Sequence, residues 1–312
     1  MKFLAYILIL LMSVVGLYQE SRADTAKKRI TWFIWDLPPE FVSSGPYQGQ
    51  GYADKFLQFF IQQLPEYQHS ILAVNVPRWS LQARVPGTCT AHLWGGFYPE
   101  LLAYSKAYTF TPPHILIFNK KYEQRFGPQG TVLSIEELLK QRNLKLLLVK
   151  VDFNKAASQS RYPVLYQYLK PHLGDPNLVE HSIHHNFINL DMLEKGRGDY
   201  TIGYPSTIAS QKRTLGVVGE FISYRIKEHN LYKKVHVACF NDAFGREVIK
   251  KVDRSLTKDV LLKFLEYHEE WNNKDPYFRQ TTIDYFIKGL NLPNVIDWWD
   301  NLMRSLSQLP LK

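Results

Sequence analysis

Residues 29–35 read RITWFIW and residues 52–64 read YADKFLQFFIQQL, and the contrast between them points to the fold class. The first run is β-branched and aromatic, the composition of a strand. It stops at Asp36-Leu37-Pro38-Pro39. The second run places apolar residues at 56, 57, 59, 60, 61 and 64, the spacing of a helix buried on one face. Pro65 closes it, and a Gly-, Ser- and Pro-rich loop ending at Gly49-Gln50-Gly51 separates it from the strand. The unit is strand, loop, helix.

The same alternation continues downstream. Ile71 to Val76 reads as a strand, Pro77 to Arg84 as a short helix, and Cys89 to Trp94 as a strand ended by Gly95-Gly96. Pro99 to Ser105 reads as a helical turn and His114 to Phe118 as a strand. A second series starts near Thr131. Ser134 with Glu137 forms a capping box that opens a helix. Leu144–Val151, Asn177–Ser182 and Asp199–Gly203 read as strands. Ser158–Leu169, Asn186–Lys195 and Ser206–Lys212 read as helices between or after them. Ile222–Lys227 and Lys234–Phe240 are strands, and the remainder is helical through Phe244–Lys258, Leu261–Trp271, Arg279–Leu290 and Pro293–Leu306. Such alternation predicts an α/β protein with mostly parallel sheets covered by helices. The restart predicts two lobes, residues 24–118 plus 235–312 and residues 119–234. In such folds ligands bind at strand carboxyl ends, at a switch point or between lobes.

The N-terminus addresses location. Lys2 precedes an apolar run from Phe3 to Leu17, and Ser21-Arg22-Ala23 supplies small residues for a signal peptidase. This pattern predicts a secretory signal over residues 1–23, cleaved before Asp24; an uncleaved anchor is the alternative. The run is short for a membrane span, which needs about 20 residues. No later stretch is long and apolar enough, so no integral membrane segment is expected after cleavage.

The chain has 38 Lys and Arg against 29 Asp and Glu. Loss of Lys2, Arg22 and Glu20 leaves 36 against 28, a net charge of +8. These charges are scattered, without a basic run or stripe, so nucleic acid is not an expected partner. Cys89 and Cys239 are the only cysteines. Two cysteines in an oxidising compartment can bond, or can remain two buried thiols. His181-x-x-His184-His185 has metal-like spacing but no evident third ligand, and an exposed polar loop is the plainer reading. Gly49-Gln50-Gly51 is no dinucleotide fingerprint and no G-x-S-x-G elbow occurs. Trp298-Trp299 in the last helix reads as docking on the first lobe. No catalytic residue, cofactor or metal is expected.

Six short segments, in order, resemble the type II periplasmic solute-binding proteins, above all the family serving polar amino acids. They are Pro38-Pro39; Gly51-Tyr52-x-Asp54; Tyr108-Thr109-Phe110-Thr111-x-Pro113; Leu133 to Leu138; Leu193 to Tyr200; and Val235 to Phe240 followed by Gly245. The resemblance implies a two-lobed fold with a ligand cleft between lobes. It implies that the return strand lies beside the third strand, joining Cys89 and Cys239 in a disulfide. It also places Trp35, Asp36, Trp94, Gly95, Phe97, Tyr108, Thr111, Asn154 and Tyr204 at the cleft as ligand-binding residues. The departures concern the ligand. The family's carboxylate-clamping Arg is missing, since no Arg falls between Arg84 and Arg125. Tyr204 stands where the family has its ammonium-binding Asp.

The expectation is a periplasmic, monomeric solute-binding protein that closes around a small molecule by hinge motion. The ligand would not be a standard α-amino acid bound in the usual way. The partner would be an ABC-type permease or a membrane sensor. The alternatives are a degenerate scaffold that contacts proteins or envelope surfaces, and an exported hydrolase using the same cleft.

Overall fold

The computed structural model describes residues 27–150, 161–181, 187–271, 276–289 and 304. The signal segment 1–23, Asn154, His184, His185 and the Trp298-Trp299 pair lie outside the described residues.

The opening strand β1 (Arg29–Ile34) shows how the first lobe is built. Ile30 and Trp32 are fully buried in one core cluster, and Phe33 is buried in another on the opposite face. Alternate residues of a strand point to opposite faces, so a strand apolar at nearly every position is covered on both sides. Beside β1 run β2 (Gln68–Ala73) and β3 (Thr88–Trp94), both parallel to it. The helix α1 (Tyr52–Gln63) buries Tyr52, Ala53, Phe56, Leu57 and Phe60 in the main core. A second helix, α2 (Val76–Gln82), is capped by Asn75, whose side chain accepts from the Arg78 N–H at 2.9 Å.

The segment read as a helical turn, Pro99–Ser105, instead contains a strand, β4 (Leu102–Tyr104). The sheet neighbour decides this against a weak local signal, because β4 pairs with the return strand β12 (Lys233–Phe240). β5 (Thr109–Thr111) pairs with β12 as well. The first sheet runs β2-β1-β3-β12-β4, with β5 on β12.

The second sheet runs β7-β11-β6-β10-β8-β9. Its strands are β6 (Ile115–Asn119), β7 (Val132–Leu133), β8 (Leu146–Val149), β9 (Leu178–His181), β10 (Tyr200–Gly203) and β11 (Phe221–Ile226). Ile115–Phe118, assigned to the first lobe from sequence, thus forms a central strand of the second sheet, and the crossing falls at Pro112–His114. Both sheets are mixed. β8 runs parallel to β9 and β10, while β6 runs antiparallel to β10 and β11. The antiparallel partners enter at the crossings: β12 returns to the first sheet antiparallel to β3, β4 and β5. Helix α3 (Ile135–Leu139) opens on Ser134, whose Oγ accepts from the Glu137 N–H at 3.2 Å. Helix α4 (Thr207–Leu215) follows β10 and ends at the left-handed Gly216.

Beyond β12, α5 (Ala243–Ser255), α6 (Lys258–Glu269) and α7 (Pro276–Gly289) pack on the first lobe. Phe264 on α6 sits 4.5 Å, centroid to centroid, from Phe56 on α1. Cys89 and Cys239 oppose each other across β3 and β12 and form a disulfide.

Candidate functional site

The loop after β1 is locked onto the start of α1. The backbone N–H groups of Tyr52 and Ala53 donate to the carbonyls of Pro39 (3.0 Å) and Glu40 (2.9 Å), which satisfies N–H groups that a helix start leaves open. Asp54 accepts from the N–H groups of Gly51 (3.0 Å) and Val42 (2.9 Å). Burial pushes the Asp54 carboxyl up to about 6, against these two bonds. Only glycine fits at 51, because a Cβ there would stand 2.2 Å from the Glu40 carbonyl oxygen.

This packing delivers Glu40 to a cavity of about 40 Å³ between the two sheets. Tyr52, Thr111 and His268 line it from the first lobe. Arg161, Tyr162, Tyr204, Ser206 and Thr207 line it from the second, and His114 from the crossing. Glu40 is buried, and desolvation raises its pKa to about 7, despite hydrogen bonds from the Trp35 and Tyr52 side chains and the nearby charge of Arg161. His92 Nε2 lies 4.0 Å from Glu40 Oε2. Burial drives the His92 pKa down to about 3, so both groups are pushed towards their neutral forms and the contact is not an ion pair.

The crossing is aromatic. His114 stacks on Tyr204 at 4.4 Å and lies 5.2 Å from both Tyr162 and His229. His229 sits in the return crossing, so the two segments that join the lobes bring two histidines together. Burial holds His114 neutral and lowers His229 to about 4, and Lys233 adds to both effects. Among the described residues, the Nδ1 atoms of His114 and His229 are buried without a hydrogen-bond partner.

No family model matches the sequence, and no curated protein matches it. Solved structures do. The probable amino-acid ABC transporter extracellular-binding protein ytmK from Bacillus subtilis is 14% identical with a TM-score of 0.55, over 79% of this chain and 99% of that one. The BvgS periplasmic domain of B. pertussis is 14% identical with a TM-score of 0.52, over 86% of this chain and 47% of that one. A histidine kinase sensor domain with similarity to periplasmic binding proteins is 12% identical with a TM-score of 0.52, over 80% and 98%. The chain has the two-lobed fold of the type II periplasmic binding proteins.

Thr111 and Tyr204 line the cavity. Trp94 stands one layer back, its indole N–H donating to Thr111 Oγ1 at 2.8 Å, with Lys233 Nζ 4.7 Å over its ring. Trp35 reaches the site only through Glu40, and its ring packs edge-on against Phe41 and Trp79. Asp36 accepts from the Ser43 N–H at 3.2 Å and holds the loop.

Three expected residues lie elsewhere. Tyr108 belongs to the core, with its hydroxyl donating to the Ala91 carbonyl. It shares that core with Phe110, two residues on, while Thr111 takes the cleft. Phe97 packs against Trp79 and Trp94 rather than lining the cavity. Gly95 is committed to the sheet edge, its N–H donating to the Lys234 carbonyl at 3.2 Å, and the His236 ring lies 2.9 Å from where a Cβ would stand.

Sequence reading missed Glu40, Tyr52, His114 and Arg161. The resemblance implies a clamping Arg between Arg84 and Arg125, where this chain has none. Arg161 comes from the other lobe, beyond β8.

Among the described residues, no helix is long and apolar enough to cross a membrane, and no group of three or more His, Cys, Asp or Glu is placed to hold a metal.

Proposed function

We propose that this chain is an exported solute-binding protein whose lobes close on a small polar molecule in the cleft lined by Glu40, Thr111, His114, Arg161 and Tyr204. The observation that carries this reading is that ionisable groups from both lobes meet in one cavity, Glu40, His114 and Tyr162 buried and Arg161 and Tyr204 half-buried. A ligand touching both lobes at once favours the closed state by its differential affinity. The similar solved structures include a probable amino-acid ABC transporter binding protein and a histidine kinase sensor domain, so a permease or a membrane sensor is the partner class. The role is binding rather than catalysis, in keeping with those similar structures. The proposed location is the periplasm, reached through the signal at residues 1–23, and the disulfide between Cys89 and Cys239 suits that oxidising compartment.

A second reading is favoured by the volume. About 40 Å³ holds a few water molecules, against roughly 300–1,000 Å³ for drug-sized ligand pockets. A scaffold whose cleft is filled by its own Tyr and His side chains, and which contacts proteins, would look like this.

Native mass spectrometry of the protein purified from a periplasm separates the two. A folded mass above that of the polypeptide, with a small molecule released on unfolding, supports solute binding. A bare mass, with no thermal stabilisation by amino acids, amines, aromatic acids, sugars or small carboxylates, supports the filled scaffold.

A further inference from the structure

We infer that the second-lobe side of the cleft is an anion subsite, and that the solute is a small carboxylate held by Arg161, the first turn of α4 and His114. This deepens the solute-binding reading and rests on it. Four observations converge. Arg161 lines the cavity, and its positive charge bears on Glu40, His114, Tyr162 and Tyr204 around it. Ser206 and Thr207, at the start of the nine-residue α4, line the same cavity. Among the described residues no side chain caps that helix start; the Thr207 N–H donates to the Tyr204 carbonyl at 2.9 Å, and the Ser206 hydroxyl on the cavity wall can donate to a ligand. A helix N-terminus presents N–H groups and partial positive charge, which favour an anion.

The fourth observation is independent of the helix. His114 lines the cavity, is 4% exposed, and among the described residues leaves its Nδ1 without a hydrogen-bond partner. A buried polar atom left unpaired is costly, and a ligand that pairs with it removes that cost. In its neutral form the ring can donate from Nδ1.

On the opposite wall Glu40 supplies the condition for binding. The groups around it are Trp35 from the loop after β1, Tyr52 from α1, His92 from β3, Tyr108 ahead of β5, Arg161 and Tyr204 from the second lobe, and, on the same cavity and held neutral by burial, His114 from the crossing and His268 from α6. Arg161 is the only one of these that carries charge at neutral pH, since burial holds His92 neutral and raises the Tyr52, Tyr108 and Tyr204 hydroxyls. With its pKa near 7, Glu40 is protonated on the acid side of neutrality, where it can donate to a carboxylate. Above that pH it repels one. Polarity is thus reversed relative to the resembling family, with guanidinium on the second lobe and an acid on the first. The small volume selects a ligand of a few non-hydrogen atoms.

The test is calorimetric titration and thermal melting with formate, acetate, propionate, glycine and methylammonium as probes, at pH 6 and pH 8. The expected result is binding of formate or acetate at pH 6, weakened about tenfold at pH 8 as Glu40 ionises. Arg161→Met should weaken it at least tenfold at both pH values. Glu40→Gln should keep binding and abolish its pH dependence. Carboxylate binding that is undiminished in Arg161→Met overturns the subsite. Binding of methylammonium or glycine with no response to carboxylates overturns the anion assignment and leaves the solute-binding reading standing. Silence of every probe, together with a bare native mass, overturns both.

Discussion

The guanidinium of Arg213 lies 4.2 Å from the centroid of the Trp271 ring, and the two residues belong to different lobes. Arg213 projects from α4, while Trp271 is buried in the first-lobe core just beyond α6. Tyr47, also of the first lobe, takes the same guanidinium at 4.5 Å, and Arg213 Nη1 donates to the Glu270 carbonyl at 3.3 Å. These contacts join the two lobes away from the residues that line the cavity, so on the solute-binding reading they would favour a closed arrangement.

Removing the clamp should open the molecule. Cation–π contacts at exposed sites contribute about 0.5–1 kcal/mol. Arg213→Ala should therefore raise the open-to-closed ratio about two- to fivefold. Small-angle X-ray scattering would show a larger radius of gyration. An unchanged scattering curve, with unchanged ligand affinity, would dismiss the clamp.

Glu40 should tie stability to pH. Its folded pKa is raised from 4.5 to about 7, so the folded chain holds a proton that the unfolded chain releases. The contribution is fully present below about pH 4.5 and is lost as pH rises through 7. Wild type should lose stability relative to Glu40→Gln across that window, as read by denaturant midpoints at pH 4.5, 6 and 8. A constant difference between the two proteins would place the titration elsewhere.

The disulfide should matter to folding more than to the cleft. It joins residues 150 apart in sequence, and closing a long loop constrains the unfolded chain by about 2–5 kcal/mol. Cys89→Ala with Cys239→Ala should lower the denaturation midpoint accordingly, and reductant should do the same to the wild type. Ligand affinity below the melting transition should stay within about twofold, because both cysteines are buried in the first-lobe core and neither lines the cavity.

Gly51→Ala should disturb both fold and site. The added methyl meets the backbone carbonyls of Glu40 and Pro39, which cannot rotate aside as a side chain would. Overpacking of this kind costs about 1–3 kcal/mol. Melting should shift down, and ligand binding should weaken because Glu40 moves with its loop. A variant that melts like wild type would show that the loop is free to yield.

What the sequence determined by itself was local and ordinal. RITWFIW and YADKFLQFFIQQL carried periods of two and 3.6 that no tertiary contact had to supply, and their succession, with the restart near Thr131, gave two α/β lobes. Six short segments in order carried the likeness to the binding-protein fold. The tertiary structure decided what those patterns leave open. Pairing with β12 made a strand of Leu102–Tyr104, and the antiparallel return of that strand mixed a sheet expected to be mostly parallel. The pleat sent Tyr108 into the core and Thr111 to the cleft. The cavity itself is non-local: Glu40, His114, Arg161 and Tyr204 are separated by 74, 47 and 43 positions along the chain, and only the packing of one lobe on the other makes them neighbours. Periodicity reports which face of an element is buried, whereas a site is defined by which buried faces meet.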